Sequence, residues 1–461
     1  MKTLSLLVGI IAFNLVCFSQ STDPAVTSWL QNNTVTGTYY NSGNSTAIGN
    51  NILVNCQQVE YSTNYVYVST EGVPSYPTGP FLDNNPSQAE SQDAIFKFPL
   101  NPQPNNGTPT ATTAGSIGVF INGVSLYDYR DGVAWNPNTS SLCGGPGNSP
   151  CPGGPQANMD WNRDAIPAEM QGFDCSKGHP AMGNYHHHQN PSAFKLDLNV
   201  LSTVCNLYDA DGLYTINASQ HSPLLGYAYD GYPIYGAYGY KNEDGTGGIT
   251  RIKSSYQLKN ITTRPNGPAV NQVITTTGPN GGQVTLYLGY FREDYEYIAH
   301  ANDQDYLDEH NGRNCITPEY PNGTYAYFCT VDADWNSSYP YAVGPTFYGV
   351  YSNASINNIT ESTTVYTPST TGYNEADFNT LNFSVFPNPS ADLIAIQVNG
   401  VTKNKLEIEL IDMLGKKVGE TTINAGQTIA YFDIQTVYQG TYIIKISNNN
   451  NSTVKKIIVK R

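Results

Sequence analysis

Charge is scarce in this sequence. Only 13% of its 461 residues are Asp, Glu, Lys or Arg, about half the usual share for a soluble protein. Bases are the scarcer sign: 22 Lys and Arg face 37 acids, for a formal net charge of −15. That balance argues against a nucleic-acid partner, which needs a basic surface. The shortage of Glu, Lys and Arg argues against a helical bundle, whose outer faces those residues dress. Long hydrophobic runs are missing beyond the N-terminus. No later stretch reaches the roughly 18 apolar residues of a membrane helix, so no membrane span is expected. The G-x-S-x-G elbow, the H-E-x-x-H helix, the Walker loop and a G-x-G-x-x-G after a strand are also missing. There is no C-x-x-C, so neither a zinc ribbon nor a thioredoxin site is supported. What is present is 35 Tyr, 42 Gly and 29 Pro. Those residues suit a mainly β, loop-rich protein of the exported kind.

Met1-Lys2-Thr3 and the apolar run from Leu4 to Val16 have the layout of a signal peptide, with cleavage expected near Ser19. Its removal takes Cys17 and leaves seven cysteines. In an oxidising compartment disulfides are the default. Cys143 and Cys151 bracket a Gly/Pro-rich loop that a bridge would hold, Cys315 and Cys329 flank an apparent hairpin, and Cys175 with Cys205 is a third pairing. Cys56 is then the leftover thiol. Residues 25–350 show short strands between turn clusters. Tyr61–Ser69 and Ile117–Tyr127 alternate as half-buried strands do, and Pro279-Asn280-Gly281-Gly282 marks a hairpin. Residues 351–380 are rich in Ser, Thr and Asn and have the composition of a linker. Residues 381–461 return to strong strand patterning, in LIAIQV, LEIELID, TYIIKIS and VKKIIVK, enough for a small sandwich. The charge divides the same way. Residues 1–376 hold 13 bases and 30 acids, and residues 377–461 hold 9 bases and 7 acids.

All seven histidines lie between His179 and His310. If Tyr185–Gln189 is extended, successive side chains alternate, so His186 and His188 project together and His187 opposes them. Such an H-x-H pair offers two imidazoles to one ion. Further ligands would be His179 across the preceding turn, His221, or a carboxylate. Imidazoles suit Cu, Zn, Fe or Ni without choosing among them. The alternative is a surface strand whose imidazoles only hydrogen-bond. Six tyrosines, Tyr227, Tyr229, Tyr232, Tyr235, Tyr238 and Tyr240, crowd one short segment. They could line a sugar groove, but core packing is the expected role. Asp303, Asp305, Asp308 and Glu309 form the densest acidic cluster. Calcium is a possible ligand there, although the spacing is not that of an EF-hand and a solvated turn is the simpler expectation. Asp209-Ala210-Asp211-Gly212 is a shorter case of the same kind.

Two resemblances organise these observations. The first is carried by Ile117–Val124, by Tyr185-His186-His187-His188-Gln189-Asn190-Pro191, by the block His221–Gly236, and by Leu307–Arg313 with Thr317–Phe328. Over about residues 50–345 this resembles the YHYH-domain family. Two departures stand out: His187 stands where the family favours Tyr, and Ala326 and Phe328 replace both imidazoles of a second Tyr-His-Tyr-His motif. His310 also stands where relatives often have Cys. The resemblance implies a domain with a histidine site and no particular reaction. The second is carried by Phe386-Pro387-Asn388-Pro389, Ile411–Gly415, Gly440–Ile443 and Lys455–Lys460. This segment resembles the type A C-terminal sorting domain of the type IX secretion system of the Bacteroidetes. It implies a seven-stranded Ig-like sandwich, recognition by the outer-membrane translocon, and a body released or surface-held after passage through the periplasm. The expected function is therefore an exported protein binding a transition metal through His179, His186, His188 and His221. The rival is a non-catalytic surface module for a glycan or protein ligand.

Overall fold

A computed structural model of the chain describes residues 21–42, 47–81, 87–145, 147–154, 159–191, 218–276, 282–368, 383–398, 405–413, 415–448 and 452–460. The expected signal peptide, Cys205, the Asp209–Gly212 turn and the tip of the Pro279–Gly282 hairpin lie outside these residues. The strands flanking that tip, Gln272–Thr276 and Gly282–Leu286, pair antiparallel as expected.

The protein is mainly β. Its centre is an eight-stranded sheet made of β1 (Ser116–Phe120), β2 (Ser125–Tyr127), β3 (Gly178–Ala181), β4 (Asn184–His187), β5 (Leu224–Ala228), β6 (Pro233–Tyr235), β7 (Gly312–Cys315) and β8 (Thr324–Phe328). The spatial order is β3-β4-β2-β1-β5-β6-β8-β7. Ile117–Tyr127, expected as one alternating strand, is a hairpin: Gly123 at φ +78° turns β1 into β2. Every residue of β5 is buried, which requires cover on both faces. Where β1 meets β5 the backbones approach closely. A Cβ at Gly226 would lie 2.4 Å from the Val119 carbonyl oxygen, and one at Gly118 would lie 2.9 Å from that of Tyr227. The tyrosines of the crowded segment from Tyr227 to Tyr238 are buried and belong to the core, as expected.

A second sheet runs Ser355–Ile356, Ala94–Pro99, Tyr65–Thr70, Cys56–Tyr61, Thr364–Tyr366. It corrects two expectations. Tyr61–Ser69 spans the end of one strand, a turn and most of the next. The stretch expected to be a linker instead supplies both edge strands of this sheet, at Ser355–Ile356 and Thr364–Tyr366. Edge strands have one side free of hydrogen-bonded neighbours and can be short and polar, so Ser/Thr/Asn-rich composition does not separate them from a linker.

The C-terminal module has seven described strands in sheets of three and four, with its own core around Ile396, Ile408, Leu410, Ile423, Ile444 and Ile446. That is the expected Ig-like sandwich. Among the described residues no helix is long and apolar enough to cross a membrane.

Candidate metal centre

Hairpin β3–β4 places His179 directly opposite His186. The strand alternation expected for this segment holds. His186 and His188 turn to one face, and their Nε2 atoms are 3.1 Å apart. His179 Nε2 lies 3.4 Å from His188 Nε2. Ligand atoms of all three lie within 4.8 Å of one another. A fourth group comes from a short helix, Ala165–Glu169, capped by Asp164, whose carboxylate accepts from Ile166 N–H. Its last residue, Glu169, brings Oε2 to 3.3 Å from His179 Nε2 and 3.4 Å from His188 Nε2.

The outer nitrogens fix how the rings face. His186 Nδ1 donates to the Asn184 carbonyl at 2.9 Å, and His188 Nδ1 donates to the Asp128 carbonyl at 2.7 Å. A ring whose Nδ1 carries the proton keeps a lone pair on Nε2. Tyr127 stacks on His186 with ring centres 3.9 Å apart, and its hydroxyl accepts from Asn184 Nδ2. Phe173 meets His179 edge to face at 4.9 Å. All three imidazoles are buried. Burial, with the neighbouring rings adding to it for His179 and His186, pushes their protonation well below the ordinary range, His179 to about 3 and His188 to about 4, with His186 also held well below its usual value. The three imidazoles are therefore neutral at ordinary pH, with lone pairs converging beside a carboxylate.

His187 faces away, as the alternation requires. Its Nε2 meets the Tyr76 hydroxyl at 2.7 Å and its Nδ1 the Lys177 carbonyl at 3.1 Å. His221 is a correction. It packs against Tyr235, Tyr240 and Phe328, and its Nδ1 bonds the Ser222 carbonyl. Pro223 leads it into β5, which belongs to the other half of the sheet. Two residues were not singled out from sequence: Glu169, which no motif marks, and Tyr127, which the register places next to β4.

The acidic cluster disperses. Asp305 pairs with Lys253 at 2.8 Å, and Asp308 accepts from the Tyr325 hydroxyl and two backbone N–H groups. Cys143 and Cys151 are bridged, as expected. Cys175 is disulfide-bonded, and its expected partner lies outside the described residues. Cys315 and Cys329 are both free and buried, like Cys56. The hairpin they flank explains this correction, because Cys315 pairs with Thr324 while Cys329 lies beyond the far end of β8.

Comparison with known proteins gives two matches and one absence. None of the curated proteins matches the chain. Residues 384–460 match the secretion system C-terminal sorting domain, which marks the protein for export by the type IX machinery to the cell surface or the medium. Residues 95–340, more than half of the chain and the whole of the eight-stranded sheet, match the family model described as YHYH protein, and the chain belongs to that family.

Proposed function

We propose that the exported domain binds one first-row transition metal ion through Nε2 of His179, His186 and His188, with Glu169 as the fourth ligand. The observation that carries this reading is the spacing. Ligands about 2.0–2.1 Å from a tetrahedral ion stand about 3.4 Å from one another, and the four atoms are separated by 3.1–3.4 Å across the pairs His186–His188, His179–His188, Glu169–His179 and Glu169–His188. Neutral imidazoles whose lone pairs face each other at that range repel, and a cation among them converts the repulsion into coordination. Carbonyl partners on the outer nitrogens are the usual outer shell of metal-bound histidine. Three imidazoles and one carboxylate fit Zn, Cu, Fe or Ni. Metal analysis of protein purified without a histidine tag tests the reading. One equivalent in the wild type and none in His186→Ala/His188→Ala is expected. No bound metal in the wild type, or unchanged content in the double variant, overturns it.

A ligand-binding role has one observation in its favour. A cavity of about 390 Å³ is lined by Gln92, Asp93, Ser125, Tyr127, Asn184 and Tyr229, among others. Tyr127 and Asn184 thus stand between this cavity and His186. Glycan-array binding that survives chelation would make the cavity a site independent of the ion. Binding lost on chelation would join the two.

A further inference from the structure

The central sheet has the same register when read from either edge. On one side, β3 and β4 pair Gly178 with His187, His179 with His186, Pro180 with Tyr185 and Ala181 with Asn184. On the other, β7 and β8 pair Gly312 with Tyr327, Arg313 with Ala326, Asn314 with Tyr325 and Cys315 with Thr324. Strand β4 runs parallel to β2 with His187 beside Leu126, and β8 runs parallel to β6 with Tyr327 beside Ile234. Hairpin β1–β2 pairs Ser116 with Tyr127, Gly118 with Leu126 and Val119 with Ser125. Hairpin β5–β6 pairs Leu224 with Tyr235, Gly226 with Ile234 and Tyr227 with Pro233, and the irregularity falls at the same step in both. The halves meet on an axis through the Val119–Tyr227 pair, with Gly226 opposite Phe120 and Ala228 opposite Gly118.

Details outside the ladders repeat as well. The Asp174 carboxylate accepts from Ser176 N–H, Gly178 N–H and the Tyr185 hydroxyl, and the Asp308 carboxylate accepts from His310 N–H, Gly312 N–H and the Tyr325 hydroxyl. Lys177 and Asn311 take the same left-handed conformation, at φ +61° and +64°. A Cβ on Gly178 would lie 2.4 Å from the Tyr185 hydroxyl oxygen, and one on Gly312 would lie 2.4 Å from that of Tyr325. Independent segments would have no reason to share ladders, turns, carboxylate cradles and glycine requirements together.

We infer that the sheet is an internal duplication, and that its second half carries a remodelled counterpart of the histidine cradle in which the Arg313 guanidinium supplies the cation. The register sets Arg313, Ala326 and Phe328 in the places of His179, His186 and His188, and Tyr235 in that of Tyr127. The Arg313 guanidinium donates to the carbonyls of Tyr240, Lys241 and Gln304. It lies 5.4 Å from the Phe328 ring, much as His179 lies 5.5 Å from the His188 ring. One half thus recruits an ion, and the other carries a positive group on its own chain. The ion in this statement rests on the proposed metal reading; the duplication does not.

Reciprocal exchange tests it. Arg313→His/Ala326→His/Phe328→His, prepared in the full chain and titrated with zinc, is expected to raise bound metal from one equivalent to two. A folded variant that still binds one equivalent overturns the inference. Should circular dichroism show that this variant does not fold, the reverse exchange decides. His179→Arg/His186→Ala/His188→Phe is expected to fold and to melt at the same temperature with and without chelator, and its failure to fold overturns the duplication. Absence of zinc from the wild type alongside a folded reverse exchange would overturn the metal reading and leave the duplication standing.

Discussion

The two halves of the central sheet share a backbone plan and differ in the side chains set at three matched positions. In the half built on β3 and β4, three buried imidazoles and Glu169 surround a position for a free ion. In the half built on β7 and β8, Arg313 fills the matching region and is held by three backbone carbonyls. The backbone restraints are common to both: a carboxylate tying a turn to a tyrosine, a glycine beneath that tyrosine, and an antiparallel hairpin beside a parallel neighbour. Fold and site are therefore separable here. The shared residues hold the sheet, and three positions per half differ in the side chain they carry: His179, His186 and His188 in one, Arg313, Ala326 and Phe328 in the other.

The largest effect that would break this comparison is expected from Arg313→Ala. Removing the guanidinium deletes its hydrogen bonds to the part-buried carbonyls of Tyr240, Lys241 and Gln304, each worth about 1.5–3 kcal/mol with a charged donor and less where water reaches the carbonyl, for a total of about 4 kcal/mol in urea unfolding. Metal content should stay unchanged, and a loss under about 1 kcal/mol would show that the guanidinium does not stabilise its half. Next is a pH effect. Burial raises the Asp174 carboxyl to about 7, above its ordinary value near 4. A raised carboxyl favours the protonated fold, so its contribution is complete below about pH 4 and is lost as pH rises through about 7. The slope amounts to about 4 kcal/mol at most. Asp174→Asn should flatten it in denaturation measured across that window. Asp308→Asn should flatten it less, because burial raises Asp308 too but the residue is only half-buried.

Chelation should act on the histidine half alone. With metal at 100 to 1,000 times its dissociation constant, binding stabilises by about 3–4 kcal/mol. The wild type should lose that much with chelator, read as a fall in melting temperature. Tyr185→Phe and Tyr325→Phe should each cost about 2 kcal/mol, since each removes a hydrogen bond to a carboxylate. Equal losses support the equivalence of the halves, and a loss in one alone would weaken it. The smallest effect is on the outer shell. Tyr127→Ala removes the ring stacked on His186 and should weaken metal binding about tenfold, measured by competition with a chromogenic chelator.

Much of this was legible in the sequence, for identifiable reasons. Period-two alternation alone places His186 and His188 together and His187 opposite, and the short step back across a turn reaches His179. The sorting module announced itself through ordered motifs and dense β-branched runs. His221 misled because it is one more imidazole in the histidine-bearing region between His179 and His310, whereas it precedes a strand of the other half. Glu169 left no signal, since only the placement of a short helix, Ala165–Glu169, brings its last residue to the imidazoles. The duplication was hidden because so few side chains repeat. Gly118 and Gly226, Gly123 and Gly231, Tyr127 and Tyr235, Asp174 and Asp308, Gly178 and Gly312, and Tyr185 and Tyr325 are shared, while the connections from Tyr127 to Asp174 and from Gly178 to Tyr185 differ in length from their counterparts. Each shared residue meets a backbone or buried hydrogen-bond requirement, which is where substitution is least tolerated.

The most direct test is anomalous diffraction from crystals of untagged, metal-loaded protein, collected at the absorption edge of the bound metal. A single peak among Nε2 of His179, His186 and His188, beside Oε2 of Glu169, with none near Arg313, is the result this account predicts. No peak between the imidazoles, or one lodged elsewhere in the sheet, would contradict it.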